Sequence, residues 1–121
     1  MSGNIKSHKD LLVWKKSMDL VTRVYTITKD FPCDEVSGLT SQIRRSVVSV
    51  PSNIAEGSAR QTRKEFIQYL YIASGSISEL GTQMLIAANL NFIENDEIIL
   101  KEIDEIGKML SGLIFSLKKN G

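Results

Sequence analysis

The sequence predicts an all-α fold: an antiparallel up-and-down four-helix bundle with a kinked second helix. Three observations predict it. Apolar residues recur at spacings of three and four in four separate stretches, the period of a one-sided helix. The links between those stretches are short and carry residues that stop and start helices. The composition is 42% hydrophobic but only 7% aromatic, with two prolines, which suits helices packed through aliphatic side chains. A chain of 121 residues fits one domain over residues 1–121.

The first helix is expected over about Lys9 to Asp30. Two stripes, Leu11–Trp14–Met18–Val21–Tyr25 and Val13–Leu20–Val24–Ile27–Phe31, merge into one broad apolar arc at ~100° per residue. So wide an arc exceeds what a single bundle needs, so an oligomer is expected. Phe31-Pro32 ends the helix, because a proline pushes the residue before it out of helical geometry. Met1 to Lys9 are polar and are expected to fray.

The second helix is expected over about Asp34 to Glu56, with Asp34 and Glu35 in its first turn, where carboxylates suit the dipole. Its stripe is Val36, Leu39, Ile43, Val47, Val50 and Ile54. Pro51 interrupts that stripe; it has no N–H and collides with the Val47 carbonyl. A kink is expected there, with Ser46, Ser49, Ser52 and Asn53 near enough to satisfy freed carbonyls. Gly57 reads as the stop.

The third helix is expected over about Thr62 to Asn89, opened by a capping box of Thr62 and Glu65. Phe66, Leu70, Ala73, Ile77, Leu80, Met84 and Ala87 form a heptad seam. Small residues beside it, Ser74, Gly75, Ser76, Ser78 and Gly81, leave room for another backbone. The fourth helix is expected over about Asn95 to Lys118, capped by Asn95, with Asp96 and Glu97 in its first turn. Its seam is Ile99, Ile103, Ile106, Leu110, Leu113 and Leu117. Short links imply antiparallel neighbours.

Net charge is +1, so no global basic signature exists. The distribution is uneven. Between Ser41 and Leu70 stand Arg44, Arg45, Arg60, Arg63 and Lys64 against only Glu56 and Glu65. Those five cations are the candidate nucleic-acid contacts, since guanidinium groups suit phosphates. Arg44 and Arg45 have a second reading. Counting back from the turn, they lie level with Glu79, a carboxylate among small and apolar residues that needs a partner. Glu56 and Arg60 are spaced as a local ion pair.

Catalysis is not expected. His8 is the sole histidine, which excludes paired Glu-x-x-His metal sites and Ser-His-Asp triads. A lone terminal histidine is expected to be solvated rather than a ligand. No metal or cofactor is implied. Cys33, the one cysteine, excludes an internal disulfide and reads as a passive loop thiol. No leader pattern precedes the first helix, and no apolar run approaches the ~20 residues of a membrane span. A soluble cytoplasmic protein is expected.

The runs Gly38-Leu-Thr-Ser-Gln-Ile-Arg-Arg45 and Ser49-Val-Pro-Ser-Asn-Ile-Ala-Glu-Gly57 carry a resemblance. So do Leu12-Val-Trp14, Phe31-Pro32 with Glu35, Glu65-Phe66, and Ile72-Ala-Ser-Gly-Ser76 with Glu79-Leu80. Together they resemble the four helix bundle proteins encoded in intervening sequences of bacterial 23S ribosomal RNA. The accessory protein of diversity-generating retroelements is similar. The resemblance implies a ring, a homopentamer. In the retroelement relative it also implies binding of nucleic acid and of a reverse transcriptase. Within the matching block, Pro51, Glu56 and Gly57, with Glu79 outside it, read as structural residues.

Two functions follow. One is a non-enzymatic ring that binds RNA or DNA backbone and assists a nucleic-acid-processing enzyme. The other is a protein-interaction scaffold without a nucleic-acid role, which the near-zero net charge favours.

Overall fold

The computed structural model describes Ser7 to Glu94 and Glu97 to Lys119. Among these residues there are four α-helices and no strand: α1 (Leu12–Thr28), α2 (Leu39–Ser58), α3 (Arg63–Asn89) and α4 (Glu97–Lys119). Each packs on its neighbour in sequence, α2 with α3 most extensively, and α1 closes against α4 over a smaller area. No helix is long and apolar enough to cross a membrane among the described residues.

The α3 seam is buried throughout, from Phe66 to Ala87. On α4 the buried line is Ile99, Ile103, Ile106, Leu110, Ile114 and Leu117; Ile114 replaces the expected Leu113, which packs at the edge. On α1 Val13, Leu20 and Val24 enter the core, joined by Phe31 just beyond the helix. Of the other stripe, Leu11 is buried and Trp14 and Val21 pack against the core, but Met18 remains 43% and Tyr25 38% exposed. The arc is wider than this chain covers.

The segment before α2 differs from expectation. α2 begins at Leu39, not Asp34. Cys33–Glu35 form a single 3-10 turn, and Gly38, at φ −109° and ψ −117°, separates it from the helix. The Glu35 carboxylate accepts the Leu39 N–H at 3.1 Å, satisfying one of the donors that a helix start leaves over. Val36, outside the helix, is consequently 66% exposed rather than core.

α2 stays helical through Pro51, which is buried. Asn53 Nδ2 donates to the Ser49 carbonyl at 2.8 Å and to Ser49 Oγ at 2.9 Å, two residues on from the Val47 carbonyl that the missing Pro51 N–H frees. Ser49 Oγ in turn meets Ser76 Oγ on α3 at 2.8 Å.

Gly57 is not a stop. The helix runs on to Ser58, and no glycine has positive φ among the described residues. Its role is spatial: a Cβ there would lie 2.6 Å from Tyr69 Cβ and 3.0 Å from Phe66 Cδ1. Thr62 caps α3 as expected, its Oγ1 accepting the Glu65 N–H at 3.1 Å. Beyond α3 the chain turns at Asn91, in the left-handed region at φ 64°. The Phe92 N–H reaches the Ala87 carbonyl at 2.9 Å and the Asn91 N–H reaches that of Ala88 at 3.0 Å. This is a Schellman close, with asparagine in the place glycine usually takes. The expected caps Asn95 and Asp96 lie outside the described residues.

Candidate nucleic-acid interface

The five candidate cations fall into two groups. Arg44 and Arg45 sit in the first half of α2, and Arg60, Arg63 and Lys64 flank the α2–α3 turn. Fifteen positions separate Arg45 from Arg60, about 20 Å at 1.5 Å per residue.

Arg44 is held against α1. Its guanidinium carbon lies 4.5 Å from the centre of the Tyr25 ring. Its Nε donates to Thr28 Oγ1 at 2.9 Å, and Nη2 approaches the Tyr25 carbonyl at 3.5 Å. Arg45 is exposed. Neither arginine pairs with Glu79, which corrects that alternative from the sequence. Successive helical residues project ~100° apart, and residue 46 is the one that faces α3. Ser46 Oγ donates to Glu79 Oε1 at 3.2 Å. Glu79 itself is exposed, not embedded.

An open groove of about 650 Å³ runs over α2 past Tyr25, Thr40, Arg44, Arg45 and Ser52. None of its lining residues is acidic.

At the α2–α3 turn, Arg60 hydrogen-bonds the Tyr69 hydroxyl, with its guanidinium carbon 4.9 Å from the ring centre. Glu56 also reaches Arg60, at 3.7 Å, so the expected local pair is present. The hydrogen bond to Tyr69, then the field of its oxygen, raises the Arg60 pKa above its ordinary value. Arg63 is half-buried and Lys64 exposed. A pocket of about 230 Å³ opens beside Gly57, Arg60, Thr62 and Arg63 and is floored by Leu11, Phe66 and Leu117. Lys118 joins this end of the bundle, donating to the Tyr71 hydroxyl at 2.6 Å.

The model of the 23S rRNA-intervening sequence protein family matches residues 9–112. The chain belongs to that family. A solved structure from Bacteroides thetaiotaomicron VPI-5482, a protein of unknown function from the S23 ribosomal protein family, is similar at TM-score 0.77 and 29% identity. The likeness covers 85% of this chain and 98% of that one. No curated protein matches the chain.

In this member of the family, the tyrosines are what sequence reasoning missed. All three carry a cation over the ring: Arg44 on Tyr25, Arg60 on Tyr69, and Lys118 on Tyr71 at 5.0 Å. Such seats fix a cation while leaving other N–H groups outward. No periodicity announces them, because each pair spans two helices or a turn. His8 is half-buried, edge-on to Trp14 at 5.0 Å, rather than fully solvated. Cys33 is exposed and unpaired, as a loop thiol should be. Among the described residues, no three His, Cys, Asp or Glu side chains are placed to share a metal ion.

Proposed function

We propose that this protein is a non-enzymatic, antiparallel up-and-down bundle that assembles as a ring, a pentamer, and binds RNA or DNA backbone in support of a nucleic-acid-processing enzyme. The observation that carries the nucleic-acid reading is the gathering of Arg60, Arg63, Lys64 and Lys118 at one end of the bundle. Tyrosine seats pre-order two of these cations, which reduces the entropy lost on gripping a phosphate. Reversed pairing along α2 and α3, Ser46 with Glu79 and Ser49 with Ser76, supports the antiparallel order. Exposed Met18 and Tyr25 support assembly, because a lone copy leaves them in water.

The test is a fluorescence-anisotropy titration with labelled single-stranded RNA across a salt series. Binding should weaken steeply with salt. The double variant Arg60→Ala/Lys64→Ala should weaken it further and reduce the salt slope by about one for each phosphate no longer gripped. No binding at low salt overturns the reading. The scaffold alternative is favoured by Leu90 and Ile98, both more than half exposed, and it stands if that titration is flat.

A further inference from the structure

We infer that, in the assembled ring, the outer face of α3 from one copy docks on the α1–α2 face of the next, with Glu79 set against Arg45. This rests on the assembly reading above and names its interface.

The donor face is a single line. Ile72, Glu79 and Ile86 repeat every seven residues on α3, so they stack along one side of the helix. Both isoleucines stand in solvent, 51% and 41% exposed. Glu79 accepts the Ser46 hydroxyl, and no cation among the described residues of its own chain neutralises it. Gly75 lies on the same side, and a Cβ there would meet nothing within 4 Å. A glycine inside a helix is unfavourable relative to alanine, and nothing within 4 Å in its own chain requires one. A neighbour approaching closely would.

The receiving face has the complementary pattern. Met18 and Tyr25, seven residues apart on α1, and Val48 on α2 supply exposed apolar surface. Arg45 stands among them, exposed and with no acidic partner among the described residues of its own chain. An acid between two isoleucines therefore meets an arginine among apolar groups. The two faces lie on different sides of α2, so the interface is heterologous, which is the kind that closes rings. Arg45 is thereby assigned to assembly rather than to nucleic acid.

Sedimentation velocity on the full chain at micromolar concentration tests this. Glu79→Arg and Arg45→Glu should each weaken association at least about tenfold and shift the protein toward monomer. Both sites are exposed, so helical circular dichroism should be unchanged. The double variant Arg45→Glu/Glu79→Arg should recover the wild-type mass. Single variants that keep that mass, or a double variant that fails to recover it, overturn the interface and leave the ring standing. A wild-type monomer overturns the assembly reading itself.

Discussion

Gly57 and Tyr69 bring α2 and α3 closer than any side chain would allow: a Cβ on Gly57 would sit 2.6 Å from Tyr69 Cβ. Gly57→Ala is therefore expected to destabilise the fold by about 1–3 kcal/mol through overpacking, measured by urea unfolding. Gly112→Ala is the control. A Cβ there meets nothing within 4 Å, so it should stabilise by about 0.5–1 kcal/mol.

Arg44 joins α2 to α1 through Thr28 and the face of Tyr25. Arg44→Ala should cost about 1–2 kcal/mol, combining a hydrogen bond with a cation–π interaction. Arg44→Lys should fall between, because an ammonium keeps the attraction to the ring but lacks the planar fork. Equilibrium unfolding of the three proteins checks the order.

Asn53 donates through one amide nitrogen to two acceptors of Ser49. Asn53→Ala should lose about 1 kcal/mol. Asn53→Asp should lose more, since an ionised carboxylate would place an acceptor against an acceptor. Equal losses in thermal melts would contradict this account.

Lys16 pairs with Glu105 across α1 and α4. The hydrogen bond to Glu105, with its charge, raises the Lys16 pKa above the ordinary 10.5. The sign follows: the pair's contribution is complete below pH 10.5 and is lost as pH rises through the higher folded value. Melting-temperature differences between wild type and Lys16→Met should be small, shrink with salt, and vanish above that range.

The seams of α3 and α4 were legible because a seven-residue period survives on both, apart from the Leu113–Ile114 slip. The start of α2 was not. Val36 fits the apolar period, but Gly38 and the Glu35 cap end the irregular turn only at Leu39. The fate of Arg44 turned on a small rotation about the helix: 44 faces α1 and 46 faces α3. Periodicity places a residue on the inner or outer side of its helix. It does not say which neighbour flanks that side, so the cations stood out in the sequence as a set while their tyrosine partners stayed hidden. The family motif marked Gly57 as notable, yet only the approach of Tyr69 explains why.

Every helix packs chiefly on the one next to it in sequence, and among the described residues the packing between distant parts of the chain, α1 on α4 and the His8–Asp10 turn on α2, is smaller. Little loop-closure entropy therefore opposes assembly of the core, which places folding on the microsecond-to-millisecond scale of helical proteins. The α2–α3 pair, with the most extensive packing, joins two helices adjacent in the chain, so it is the natural nucleus on which α1 and α4 close.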